Sequence, residues 1–279
     1  MSGEALRVTG ICKSFGGLKA VQDFSIALPT GSLRGLIGPN GAGKTTVFNL
    51  LTGVYRPDAG RVELGGGEIT GRRPFLIAEA GLSRTFQNIR LFGELSVLDN
   101  VRLGCHVRAR HGTFRALLRT PWQRGEERAI EERARRLLRV FGLEGRAQDQ
   151  ARNLPYGDQR KLEIARALAT EPRVLLLDEP AAGMNSQEKL GLRELIRGVR
   201  RDFGVTILLI EHDMGVVMDI CERITVLDYG KIIAEGTPAE IQSNPKVVEA
   251  YLGADDDAEG IDTAYASGRR PAVGGPSDA

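Results

Sequence analysis

The sequence predicts an α/β fold with a largely parallel sheet, and three observations predict it. Short apolar strands alternate with helices through the second half of the chain. A glycine-rich run, Gly38 to Thr45, joins an apolar strand (Leu33 to Ile37) to a helix (Lys44 to Leu51). A second apolar strand, Val174 to Leu177, ends in two acids, Asp178 and Glu179. The carboxyl end of such a strand is where open α/β sheets build their sites.

Taken in order, the first segment reads as strands. Leu6-Arg7-Val8 and Phe24-Ser25-Ile26 alternate apolar and polar residues. Pro57-Asp58-Ala59-Gly60 is a turn, and Arg61 to Leu64 a further strand. From about Asn88 to Asp158 the character changes. Ala129, Ile130, Ala134, Leu137, Leu138 and Phe141 fall on a helical period within Glu126 to Phe141. The basic stretch 108–125 reads as an exposed excursion. The block is expected to be a helical subdomain inserted into the strand-and-helix domain.

A helix from Gln159 to Leu168 follows, with Asp158 available as its cap. After Val174 to Leu177 come helix Gln187 to Phe203 and strand Thr206 to Ile210. Asp228-Tyr229-Gly230-Lys231 reads as a hairpin turn. The domain is therefore expected over residues 4–252. From Gly253 onward, acids followed by Gly, Pro, Ser and Ala cannot bury enough to pack, so disorder is expected there.

Bulk properties narrow the function classes. A net charge of +2 and 5% aromatic residues in 279 residues give no case for a nucleic-acid partner. No apolar stretch reaches bilayer length, and Met1-Ser2-Gly3-Glu4 does not open a secretory signal, so a cytoplasmic location is expected. Cys12, Cys105 and Cys221 are scattered and suggest neither a disulfide framework nor a zinc site.

The chemistry concentrates in a few residues. In Gly38-Pro39-Asn40-Gly41-Ala42-Gly43-Lys44-Thr45 the glycines let the backbone curl with its N–H groups inward, as a phosphate cradle requires. Lys44 supplies charge to the β- and γ-phosphates, the Thr45 hydroxyl is a Mg²⁺ ligand, and Thr46 lies near the α-phosphate. Asp178 is placed to hold Mg²⁺ through water, and Glu179 to act as general base on an attacking water. His212 follows Ile207 to Ile210 as those acids follow their strand, so the two strand ends can meet. Gln87 stands at the entry to the helical block, where it is placed to sense Mg²⁺ or the attacking water. Phe15 either stacks on an adenine ring or packs in the core. Leu154-Pro155-Tyr156-Gly157-Asp158-Gln159 precedes a helix whose N-terminus can meet phosphate.

Over roughly residues 4–252 this constellation resembles the nucleotide-binding subunits of ATP-binding-cassette transporters. The phosphate loop (Gly38 to Thr46), glutamine loop (Gln87), signature (Leu154 to Gln159), paired acids (Asp178, Glu179) and switch histidine (His212) occur in that family's order. The resemblance implies a P-loop NTPase of the cassette type, with N-terminal antiparallel strands and an inserted helical subdomain. It implies ATP and Mg²⁺ as cofactors, with Gln87, Thr45 and Asp178 at the metal and Phe15 on adenine. It implies catalytic roles for Glu179, His212, Gln87 and Lys44. Tyr156 and Gly157 would meet nucleotide held by a second subunit.

Ser83 to Phe92, Leu154 to Gly157, Pro180 to Asn185 and Val247 to Gly253 look like the ATPase subunits of branched-chain amino acid importers, in particular the one with a Leu-x-Tyr-Gly signature. That resemblance implies two permease subunits, a second cassette ATPase, an extracytoplasmic solute-binding protein and a place at the cytoplasmic face of the membrane. It also implies a groove for a permease coupling helix beside Gln87. Importers of urea, amides or other hydrophobic amino acids, and a soluble non-transport cassette ATPase, are the alternatives. Two departures stand out. Pro155 replaces the family's signature serine, and Asp158 replaces its glutamine. They imply a heterodimer with unequal sites, a homodimer being the other arrangement.

Overall fold

The structure is a computed structural model describing residues 3–108 and 121–252. The tail from Gly253, and residues 109–120 of the basic stretch, lie outside the described residues.

Strands β1 (Glu4–Phe15) and β2 (Leu18–Pro29) form a hairpin, and β3 (Leu33–Ile37) runs into α1 (Lys44–Leu51). Then come β4 (Ala59–Leu64), β5 (Gly67–Glu68), α2 (Pro74–Ala80) and β6 (Leu82–Arg84). A helical block holds α3 (Val97–Cys105), α4 (Pro121–Val140) and α5 (Tyr156–Leu168). The chain returns through β7 (Val174–Asp178), α6 (Ser186–Phe203), β8 (Thr206–Ile210) and α7 (Met214–Ile220). It closes with β9 (Arg223–Asp228), β10 (Lys231–Gly236), α8 (Pro238–Gln242) and α9 (Pro245–Leu252).

Two sheets result. One is antiparallel, in the order β2-β1-β4-β5; the other has the order β10-β9-β3-β8-β7-β6 and is parallel except for the β9–β10 hairpin. Alternation along the central strands assigns each face its partner. Leu33, Ile37, Leu175, Leu177, Ile207 and Leu209 point into the core shared with α3 to α7. Leu36, Val174, Leu176, Leu208 and Ile210 point the other way, into the core shared with α1 and the antiparallel sheet. Such strands are apolar on both faces and therefore read as unbroken runs. No helix among the described residues is long and apolar enough to cross a membrane.

The helical block departs from the sequence expectation at its edges. Helix α4 starts at Pro121, ahead of the expected Glu126, because proline is tolerated in a first turn that needs no N–H. Helix α5 starts at Tyr156, ahead of the expected Gln159, so the signature forms its first turn instead of preceding it. The boundary expected near 158 therefore cuts a helix, and the block runs on to Leu168. Asp158 is not the cap: Pro155 occupies that position without a side-chain hydrogen bond. Helices α2 and α3 were not foreseen. The second is opened by Ser96, whose hydroxyl accepts from the Asp99 amide at 3.0 Å.

Candidate functional site

Parallel pairing brings three strand ends side by side. Leu36 of β3 and Asp178 of β7 both pair with Ile210 of β8, and the Glu179 amide donates to the Ile210 carbonyl at 2.9 Å. The glycine loop, the two acids and His212 therefore leave the sheet at one edge.

Backbone geometry forces glycine into the loop. Gly38 has φ 152° and Gly43 φ 104°. A Cβ on Gly38 would lie 1.9 Å from the Leu227 carbonyl oxygen of β9, and one on Gly43 would lie 2.5 Å from the Ala20 carbonyl oxygen of β2. Gly43 caps α1, whose first turn holds no acid and no side-chain cap, so its amides remain available to an anion. Pro39, Asn40, Gly41 and Ala42 complete the curl, and Thr45 and Thr46 follow Lys44 on the first turn. Lys44 is 5% exposed and donates to the Gly38 and Pro39 carbonyls at 2.6 and 2.8 Å. Burial brings its ammonium down to a pKa of about 8, against the opposing pull of Glu179 and Asp178.

The acids are held differently. Asp178 is buried, and Arg84, the last residue of β6, donates to its Oδ2 at 2.6 Å and to Asn49 Oδ1 of α1 at 2.7 Å. Glu179 turns out of the strand with φ 48°, a left-handed conformation that costs a non-glycine residue about 1–3 kcal/mol and is concentrated at working sites. Its two carboxylate oxygens are both engaged. Gln87 Nε2 donates to Oε2 at 2.7 Å, and His212 Nε2 lies 2.8 Å from Oε1. The structure thus joins Gln87, Glu179 and His212, which are far apart in sequence.

Phe15 is 42% exposed, with the Tyr55 ring edge-on at 5.1 Å and the Lys13 ammonium 5.6 Å from its centroid. It is a surface aromatic, and the core alternative is set aside. Tyr156 and Gly157 open α5 away from these contacts. The Tyr156 hydroxyl accepts from Arg160, and its ring lies against Gly183. Asp158 faces Lys161 at 3.0 Å and Arg146 at 4.0 Å, so its charge is compensated locally.

Sequence reasoning passed over three groups. Arg84 ends a strand that pairs directly with β7, and that adjacency was the available signal. Glu211 follows β8 as Asp178 ends β7; it is 3% exposed and accepts the Ala181, His212 and Asp213 amides at 2.6, 3.1 and 3.4 Å. Burial pushes its pKa up despite these bonds. Arg160, 0% exposed within an amphipathic helix, gave no signal at all.

Beside Gln87 a cavity of about 560 Å³ opens between α2 and the helical block, lined by Val54, Ile77, Phe86, Phe92, Leu103 and the arginines 84, 90 and 166. Arg90 stacks on Phe86 and Arg166 on Phe92, at 4.3 and 5.5 Å from the ring centroids.

The donor set fits Mg²⁺. Thr45, Asp178 and Gln87 offer hard oxygen atoms, and the described residues contain no group of three His, Cys, Asp or Glu able to cage an ion. An ion that completes its shell with water and substrate phosphate needs only one or two protein oxygens.

Comparison with known proteins gives consistent results. A family described as "ABC transporter" matches residues 21–182, and one described as "Branched-chain amino acid ATP-binding cassette transporter" matches residues 231–257. The chain is 48% identical over 254 residues to the high-affinity branched-chain amino acid transport ATP-binding protein LivG of Escherichia coli (strain K12), covering 91% of this chain and 99% of that one. It is 46% identical over 253 residues to BraF of Pseudomonas aeruginosa, with the same coverage. Among solved structures, an ATP-binding cassette of an ABC transporter in its ADP conformation superposes with a TM-score of 0.78 at 33% identity, covering 90% of this chain and 99% of that chain. A nucleotide-free cassette gives 0.77, also at 33% identity.

Proposed function

The chain belongs to the ATP-binding-cassette transporter family, and from that premise we propose that it hydrolyses ATP to drive import of branched-chain amino acids through a membrane permease. The observation that carries the ATPase reading is Glu179 held between Gln87 and His212 at the strand ends beside buried Lys44. The cargo reading is supported by the likeness to LivG and BraF and by the match at residues 231–257.

In this reading residues 4–252 act as one nucleotide-binding domain. The loop amides of residues 38–46 and the Lys44 ammonium bind the phosphates, and Phe15 offers its exposed ring to the adenine. Thr45, Asp178 and Gln87 would hold Mg²⁺, which screens phosphate charge when bound. Glu179 accepts a proton from water as the water oxygen bonds the γ-phosphorus and the bond to the β-phosphate oxygen breaks, giving ADP and phosphate. His212 and Gln87 fix the carboxylate for that transfer. Tyr156, Gly157 and the uncapped start of α5 face the nucleotide of a second cassette subunit. Pro155 brings neither hydroxyl nor N–H to it, which favours a heterodimer with unequal sites. The chain sits at the cytoplasmic membrane face, bound to two permeases served by a solute-binding protein.

The groove beside Gln87 suits an apolar permease helix carrying an acidic side chain for its arginine rim. Deleting the chain is expected to abolish uptake of radiolabelled leucine, and the wild-type gene to restore it. Phe92→Asp should restore less than about a tenth of that uptake, because it places a charge in an apolar contact, while MgATP affinity stays within about twofold. Unchanged leucine uptake in the deletion, with loss of another solute, would remove the cargo assignment. Full uptake with Phe92→Asp would remove the docking assignment.

Lys44 gives a second check. With its pKa at about 8, the ammonium is about half charged at pH 8, and a bound polyphosphate restores the charge. Binding of MgATP at pH 8 is therefore expected to take up protons, and fewer at pH 6.5, where the ammonium is already charged. Calorimetry in buffers of differing ionisation enthalpy measures this directly.

A further inference from the structure

Arg160 is buried to 0% exposure, and nothing in the chemistry above uses it. One guanidinium nitrogen donates to the Phe86 carbonyl at 2.7 Å and to Glu163 Oε2 at 2.9 Å. The other donates to the Gln87 carbonyl at 2.8 Å and to the Tyr156 hydroxyl at 3.1 Å. Glu163, 2% exposed, reinforces the link, since its Oε1 accepts the Phe86 and Arg90 amides, each at 3.3 Å. Among the described residues, the backbone hydrogen bonds of residues 86–90 run to three side chains of α5: Arg160, Glu163 and Arg166.

An ion pair removed from water is a poor source of stability, because desolvation offsets its attraction. A planar fork that holds two carbonyls, a hydroxyl and a carboxylate at once is instead a geometric device, one a lysine's single ammonium does not reproduce. Both carbonyls belong to the loop whose Gln87 side chain reaches Glu179 at 2.7 Å. The hydroxyl belongs to Tyr156, at the start of the signature helix.

We propose that Arg160 is a positioning residue that sets Gln87 against Glu179 and makes loop 86–90 and the first turn of α5 one moving part. This rests on the roles assigned above to Gln87 and Glu179. A displacement of the α5 start is then carried to the Glu179 carboxylate through two backbone carbonyls, without passing through the sheet.

Removing Arg160 alone strands a buried carboxylate and risks the fold, so the informative variant is Arg160→Met with Glu163→Leu. Exchange of a buried pair for apolar side chains of similar size generally preserves folding. In the full-length protein this double variant is expected to stay folded, with a melting temperature lowered by the Phe86, Gln87 and Arg90 backbone groups it leaves without side-chain partners, and to bind MgATP within about twofold of the parent. Its kcat for ATP hydrolysis should fall about 10- to 100-fold, the scale set by a misplaced catalytic group. Gln87→Ala should lower kcat in the parent by a similar factor but by less than about twofold in the double variant, because its partner is already out of place. Arg160→Lys should not rescue the rate. A folded double variant with the parental kcat, or effects of the two changes that multiply, would overturn the proposal. If Gln87→Ala leaves the parental kcat unchanged, the underlying assignment of Gln87 fails, and the proposal with it.

Discussion

Glu179→Gln is expected to lower kcat for ATP hydrolysis by about three orders of magnitude while MgATP affinity stays within a few-fold of the parent. The size follows from the loss of a general base, which contributes about 10²- to 10⁴-fold. The selectivity follows from geometry. Glutamine keeps the volume and one carbonyl oxygen, so the Gln87 contact at 2.7 Å survives, while proton acceptance and the negative charge facing His212 are lost. Bound ATP then persists, and the variant should accumulate as a closed dimer with its cassette partner. Phosphate release, equilibrium nucleotide binding and sedimentation with MgATP read the three consequences. A variant with the parental kcat would place the general base elsewhere.

Lys44→Met is expected to remove a pH dependence of stability and to cost most of the affinity for MgATP. The fall of the Lys44 pKa from 10.5 to about 8 corresponds to about 3 kcal/mol opposing the charged form in the fold. Methionine removes that term but leaves the Gly38 and Pro39 carbonyls without their donor, at about 1–3 kcal/mol each, so the two effects offset one another at pH 7. MgATP affinity should fall by about two orders of magnitude or more, since the buried charge aimed at the phosphates is gone. The linkage sign makes the test specific. Between pH 8 and 10.5 the unfolded wild-type chain holds a proton that the folded chain has released, so its stability rises with pH across that window. The methionine variant should lack this rise. Denaturation at pH 7 and pH 10 without nucleotide measures this, and a methionine variant whose stability rises with pH as the wild type's does would contradict the burial argument.

Legibility in the sequence followed the range of the interactions. The phosphate loop, the acids after β7 and the histidine after β8 were legible because each is a local pattern, a strand followed at once by functional residues. The parallel sheet followed from unbroken apolar runs, whereas the antiparallel pairing of the N-terminal strands came from the family resemblance. What escaped notice depended on contacts between distant segments. Arg84 reaches Asp178 across 94 positions, and Arg160 reaches the Phe86 carbonyl across 74. An arginine on an amphipathic helix carries the same local signal whether it faces water or a buried loop. The start of α5 was missed for a different reason. Asp158 offers the usual cap signal, but Pro155 occupies the cap and Tyr156, Gly157 and Asp158 form the first turn.

The two glycines that cannot carry a side chain also say which part of the site is the stator. Gly38 rests against the β9 backbone and Gly43 against the β2 backbone, so the phosphate loop is wedged between the two sheets. Neither sheet strand can shift without distorting the curl. The opposite wall, residues 86–90, hangs from α5 side chains and borders the groove. In the proposed mechanism the work of hydrolysis leaves through that second wall, while the loop that grips the nucleotide stays still. In such an engine the strength of the grip and the length of the stroke belong to different parts of the chain and can evolve independently.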